Sequence, residues 1–272
     1  MSVLFAHVPH EPGTPILDVR GLTVRYGERV ALDDVSFSLT VGEQVAVVGP
    51  NGAGKSTLFK TVAGLLEPTA GEVKVFGHRP VGHICIAYVP QRSQVDWTFP
   101  ATVEDAVMMG RAGALGLLRR PGRADHELVR ACLDQVGLAD LAGRQIGQLS
   151  GGQQQRMFIA RALAMKAELM LMDEPLAALD LVSQEEVLGI LDLLARRRVT
   201  VLVALHDLNL AAGRFSRALL LNHRLIGYGP PAEVFTQERL WAAYGTAARV
   251  MTTGQGAIYV GDTCCGGGHD HG

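Results

Sequence analysis

An α/β fold is what this 272-residue sequence predicts: a mainly parallel sheet core, an N-terminal antiparallel β portion and an inserted α-helical lobe. Three observations predict it. Strand-length apolar runs alternate with stretches of helical spacing along most of the chain, the pattern of a parallel sheet. Two early runs, ILDVRGLTVRY (16–26) and ALDDVSFSLTV (31–41), instead alternate apolar with polar residues, as half-buried strands do. From Val103 to Ala164 the pattern becomes mostly helical, which places the lobe at about 95–160.

After the two alternating strands, QVAVVG (44–49) is a buried strand and KSTLFKTVAGLL (55–66) a helix; EVKVFG (72–77) and IAYVP (86–90) are short strands. TVEDAVMMGR, ADHELVRACLDQVGL and GQQQRMFIARALA are the clearest helices of the lobe. Buried-strand character returns in LMLMD (169–173) and VTVLVALH (199–206), with the helix SQEEVLGILDLLARRR (183–198) between them. RALLLNHRLIGYG (217–229) reads as a hairpin, and PAEVF and RLWAAYG as short closing helices. Residues 1–14 read as a flexible leader, 15–245 as the folded domain and 246–272 as an extension in which AIYV is one last strand before a Gly-rich tail.

Composition narrows the function. A formal net charge of −2 argues against a general nucleic-acid footprint, although RRPGR (119–123) is locally basic. No run reaches the roughly 18 apolar residues that span a bilayer, so membrane contact is expected through a partner. The N-terminal stretch lacks the basic leader and apolar core of a secretory signal. Four cysteines do not make a disulfide scaffold, which fits a reducing cytosol. Cys264, Cys265, His269 and His271 are metal-ligand types close together in the tail, but adjacent cysteines lack the usual spacing of a zinc site.

GPNGAGKST (49–57) fits the phosphate-loop pattern G-x-x-x-x-G-K-[ST] and lies, as the motif requires, between a buried strand and a helix. Its glycines, 49, 52 and 54, let backbone N–H groups turn inward around phosphate oxygens, and the helix that follows points its positive end to the same place. Gly49, Pro50, Asn51, Gly52, Ala53, Gly54, Lys55, Ser56 and Thr57 are therefore the candidate cradle, with Lys55 on the β- and γ-phosphates and Ser56 on Mg²⁺. The fold class sharpens accordingly to a P-loop NTPase of RecA-like type.

Asp173 ends an apolar strand, where an ionised carboxylate is costly without a compensating cation; Mg²⁺ is that cation. Glu174 should point the other way, towards a γ-phosphate and its attacking water, and is the candidate general base. His206 and Gln91 follow two more strands, and ligands of open α/β sheets sit at the carboxyl ends of strands. Tyr26 offers an aromatic face for adenine. LSGGQQQR (149–156) opens a helix with Ser150, Gly151, Gly152 and Gln153, a second anion-binding device. A spare half-site beside a complete one suggests that two copies complete each other.

Tyr26, GPNGAGKST, Gln91, LSGGQ, LMLMDE, LAALD with Ala177 to Asp180, and His206 stand in an order that resembles the ATP-binding subunit of ABC transporters, over roughly residues 16–245. The resemblance implies a head-to-tail homodimer that closes on two ATP molecules, each between one chain's phosphate loop and the other's Ser150, Gly151 and Gly152. It implies that Gln91 senses the γ-phosphate and Mg²⁺ and that Asp180 lies in the loop joining the two active sites. It further implies MgATP hydrolysis driving an integral-membrane permease, a peripheral place on the cytoplasmic membrane face, and an extracytoplasmic binding protein met only indirectly. QRSQVDWTFPATVEDAVMMGR and EVFTQERLWAAYG look like the subgroup importing zinc, manganese or ferrous iron, whereas ALHDLNLAA (204–212) looks more like siderophore, haem and cobalamin importers. A soluble, non-transport ATPase of the same fold is the third reading. In such transporters the segment after Gln91 lies in the groove that receives a permease helix, so Trp97, Phe99 and Pro100 are expected as apolar anchors.

Overall fold

A computed structural model describes residues 13–81, 85–116, 119–245, 249–253 and 256–260. The expected leader lies outside them except for residues 13 and 14, and so do Cys264, Cys265, His269 and His271. In chain order, β1 (Leu17–Tyr26), β2 (Arg29–Leu39), β3 (Gln44–Val48), α1 (Lys55–Val62), β4 (Ala70–Val75) and β5 (Ile86–Val89) come first. The lobe follows with α2 (Val103–Met108), α3 (Ala112–Leu115), α4 (Arg123–Gln135) and α5 (Gly151–Ala164). Then come β6 (Leu169–Met172), α6 (Leu181–Arg196), β7 (Thr200–Leu205), α7 (Leu208–Arg214), β8 (Arg217–Asn222), β9 (Arg224–Gly229), α8 (Pro231–Val234), α9 (Gln237–Tyr244), β10 (Arg249–Thr253) and β11 (Gly256–Val260).

Six strands form the central sheet in the order β5-β6-β7-β3-β8-β9, parallel except for β9, which returns antiparallel to β8. A separate antiparallel sheet, β2-β1-β4, is the expected N-terminal β portion. The central strands are apolar at nearly every position because both faces are covered. Along β3, Ala46 and Val48 enter one core while Val45 and Val47 enter the other. The same alternation holds in β6, where Met170 and Met172 face the lobe side and Leu169 and Leu171 the antiparallel sheet. Fully buried Leu58 and Phe59 on α1 fill the second core, which fixes α1 under the antiparallel sheet.

The elements differ from the sequence reading at several boundaries, and three differences bear on the helices near the motifs and on the chain's last strand. Helix α6 starts two residues earlier than expected, since Asp180 accepts a hydrogen bond from the Ser183 N–H at 2.9 Å and caps it. Helix α7, unanticipated, is capped in the same way by Asp207 through the N–H groups of Asn209 and Leu210. The single last strand is instead a hairpin, β10 paired antiparallel with β11.

In the lobe, α2, α4 and α5 pack on one another, and Thr102 opens the group with a capping box. The Asp105 N–H donates to Thr102 Oγ1 at 3.2 Å, and the Thr102 N–H donates to Asp105 Oδ2 at 3.0 Å. Thr102→Ala is expected to lower unfolding free energy by about 1 kcal/mol in urea titration, without changing nucleotide affinity.

Candidate functional site

The register of the central sheet brings the motif residues to one edge. Val89 pairs with Met172, Met172 with Val203, and Leu205 with Val48. The residues that follow those strands are Gln91, Asp173 and Glu174, His206, and the loop 49–54. All therefore leave the sheet at its carboxyl end, as expected for an open α/β sheet.

The loop from Gly49 to Gly54 curls back on itself, with the Ala53 N–H donating to the Pro50 carbonyl at 3.1 Å. It is clamped from behind by the turn between β8 and β9, where the His223 N–H donates to the Ala53 carbonyl at 2.9 Å. Gly54, the residue before α1, has φ 100° and could not carry a side chain: a Cβ there would lie 2.6 Å from the Ala31 carbonyl oxygen. Lys55 is 5% exposed and its ammonium donates to the carbonyls of Gly49 at 2.6 Å and Pro50 at 3.1 Å. Burial pulls its pKa down, opposed by the nearby Glu174 and Asp173 carboxylates. Asn51, Gly52, Ala53, Gly54, Lys55, Ser56 and Thr57 line a cavity of about 310 Å³ with Tyr26, Arg29 and Glu174 at its other walls.

Asp173 is only 1% exposed. Its Oδ2 accepts from the Tyr88 hydroxyl at 3.3 Å, while its Oδ1 is buried with no hydrogen-bond partner. Burial pushes this carboxyl up, against the opposing pull of the Ser56 hydroxyl. An orphaned carboxylate oxygen beside a hydroxyl, in a hard oxygen-donor setting, fits a divalent cation such as Mg²⁺.

Glu174 is held at both oxygens. His206 Nε2 lies 2.5 Å from Oε1, and Gln91 Nε2 donates to Oε2 at 2.8 Å. The hydrogen bond with His206 holds its carboxyl below the usual range, so it is ionised at neutral pH. Its backbone sits at φ 52°, a left-handed conformation that a non-glycine residue adopts at a cost.

The start of α5 is elsewhere. Ser150, Gly151, Gly152, Gln153 and Asp180 do not line the cavity of Lys55. Ser150 and Gln153 form a reciprocal capping box, in which the Gln153 N–H donates to Ser150 Oγ at 3.3 Å and the Ser150 N–H to Gln153 Oε1 at 2.9 Å. Gly152 is packed onto α6: a Cβ there would lie 2.4 Å from Ser183 Oγ. Asp180 also bonds that hydroxyl, at 3.0 Å.

Of the three expected aromatic-loop anchors, Trp97 turns inward. Its indole N–H donates to the Arg92 carbonyl at 3.1 Å and its ring meets Phe158 edge-on at 5.6 Å. Phe99, 52% exposed, and Pro100 instead line a shallow groove of about 470 Å³ with Met108, Met109 and Leu115. Tyr88, Arg29 and Arg92 were not singled out by the sequence. Arg29 had a usable signal, as the residue that returns opposite Tyr26 across a two-residue turn.

The fold and this edge define a P-loop nucleotide-binding protein. The sequence model of the family described as ABC transporter matches residues 32–177. A manganese transport system ATP-binding protein, MntB of Listeria innocua, is 43% identical over 240 residues, covering 88% of this chain and all of that protein. A zinc transport system ATP-binding protein, TroB of Treponema pallidum, is 46% identical over 239 residues, covering 87% of this chain and 89% of that protein. A solved chain described as belonging to an ABC transporter of metal-chelate type, in an inward-facing conformation, has TM-score 0.77 and 31% identity and covers 90% of this chain and 96% of that one. The chain belongs to the ABC transporter family and is an ATP-binding, ATP-hydrolysing subunit.

Gly152→Ala is expected to destabilise the fold, and Ser183→Gly to recover part of that loss in the double variant. Comparing denaturation midpoints of the single and double variants checks this.

Proposed function

We propose that this protein is the ATPase subunit of an importer for a divalent metal ion (manganese, zinc or iron), acting as a head-to-tail homodimer beneath a separate permease. The observation that carries the hydrolytic part is the shared edge of Lys55, the unpaired Asp173 Oδ1 and the doubly held Glu174. The loop 49–57 binds the phosphates, with Lys55 exchanging its carbonyl contacts for the β- and γ-oxygens. Ser56, Asp173 and Gln91 would hold Mg²⁺, which would neutralise phosphate charge. Glu174 takes the proton of the attacking water, while His206 and Gln91 fix its carboxylate, and Tyr26 stacks on adenine. Ser150, Gly151, Gly152 and Gln153 serve the partner copy's nucleotide. That reading is supported by their absence from the walls of the Lys55 cavity within one chain and by a helix N-terminus suited to phosphate. Asp180 stands between the two sites.

The relatives' manganese and zinc names support the metal cargo. The peripheral position on the cytoplasmic face, the permease and the indirect role of a binding protein follow from the same reading; no helix among the described residues is long and apolar enough to cross a membrane. Two observations favour a chelated cargo instead: ALHDLNLAA (204–212) and the likeness to a metal-chelate type transporter. Uptake of radiolabelled Mn²⁺ and Zn²⁺ against a ferric chelate, in cells lacking this protein and then complemented, separates the two; uptake of the chelate alone would remove the metal-ion reading.

Glu174→Gln should bind ATP, hydrolyse it at least a hundredfold more slowly and accumulate as a closed dimer in size-exclusion chromatography with MgATP. Turnover near wild type would mean that another group is the base. For the permease contact, Phe99→Ser should leave the ATPase of the isolated subunit intact and weaken co-purification with the permease. Trp97→Ala should lower stability by about 1–2 kcal/mol in urea denaturation, since its ring is only partly buried.

A further inference from the structure

Arg92 follows Gln91 directly, and its side chain leaves the nucleotide edge for helix α5. Arg92 Nε donates to Gln154 Oε1 at 2.6 Å. Gln154 is 3% exposed among apolar neighbours, where an amide is costly unless bonded, and its own Nε2 donates to the Ile146 carbonyl at 3.4 Å. Four residues on, Phe158 on the same face of α5 receives the ring of Trp97. The Arg92 guanidinium also lies over the first turn of α5, since a Cβ on Gly151 would stand 3.1 Å from its Nη1.

The loop between these anchors is a closed unit. The Gln94 N–H donates to the Gln91 carbonyl at 2.9 Å, and the Val95 N–H and the Trp97 indole both donate to the Arg92 carbonyl. It is not packed solidly on the helix. A cavity of about 380 Å³ lies between loop, α5 and the 174–179 segment, with Glu174, Gln155 and Leu179 among its walls. Specific anchors, rather than general packing, tie the loop to α5.

We propose that Arg92 and Gln154 are positioning residues for ATP hydrolysis: their hydrogen bond makes α5 follow Gln91, so that the Gln91–Glu174 contact and the Ser150 end of α5 are set together. A move of Gln91 on or off Glu174 is transmitted through Arg92 to the helix whose first residues serve the second copy. The proposal rests on the reading of Glu174 as the base and goes beyond it by assigning how that carboxylate and α5 are held in step.

The test is a double-mutant cycle on the full-length protein, reading kcat and KM for MgATP. Arg92→Ala and Gln154→Ala should each lower kcat about tenfold with KM changed less than about twofold, and the double variant should be no slower than either single. Arg92→Lys keeps a charged donor for the Gln154 amide oxygen and leaves the Gln154 bond to the Ile146 carbonyl intact, and should restore kcat to within about threefold of wild type. Thermal unfolding of each variant shows that folding is retained. Multiplying losses in the double variant, near a hundredfold, would overturn the proposal, as would wild-type kcat in Gln154→Ala or an Arg92→Lys as slow as Arg92→Ala. Wild-type turnover in Glu174→Gln would overturn the base assignment separately, since non-additivity at 92 and 154 reports the coupling whichever group takes the proton.

Discussion

A carboxylate sealed at the end of an apolar strand is the constraint on which the rest of this edge depends. Asp173 is 1% exposed, has one oxygen without a partner, and shares its neighbourhood with a second carboxylate at Glu174. A buried acid beside a half-buried one costs on the order of several kcal/mol unless positive charge reaches it. The surrounding groups answer that need in graded ways. Tyr88 and Ser56 supply hydroxyls, Lys55 supplies a buried ammonium within Coulombic reach, and His206 and Gln91 take the two oxygens of Glu174. What remains without a partner is Oδ1.

The sheet makes this possible. Parallel pairing in register puts four strand ends at one level, so residues distant in sequence meet without any one of them being specified by its neighbours in the chain. The two cores, one on each face, hold that level fixed; alternate residues of β3, β6, β7 and β8 anchor each strand from both sides. The phosphate loop gains its shape from tertiary contacts as well as from glycine, because the β8–β9 turn bonds its back through Ala53.

Much of this was legible because the motifs are local. GPNGAGKST, LMLMDE and LSGGQ each carry their chemistry in consecutive residues, and period-2 and helical spacing located the elements around them. What escaped depends on side-chain direction and long-range pairing. The aromatic character of Trp97 and Phe99 said nothing of which one faces inward; Phe158, sixty residues later, decides it. Tyr88 reads as one more strand residue until β5 lies beside β6 and its hydroxyl meets Asp173. Gln154 reads as a polar residue on a polar helix face, yet it is buried and bonded to Arg92. The Asp and Ser or Gln residues that open helices α5 and α6 have capping duties that the motif alone does not reveal.

The central claim is that the Asp173 carboxylate is kept in place to meet a cation beside the phosphates. Calorimetric titration of ATP into wild-type protein and into Asp173→Asn, each with Mg²⁺ and with a chelator, tests it most directly. The account predicts that Mg²⁺ strengthens ATP binding at least tenfold in the wild type and leaves the affinity of Asp173→Asn nearly unchanged. An equal Mg²⁺ effect in both proteins would contradict it.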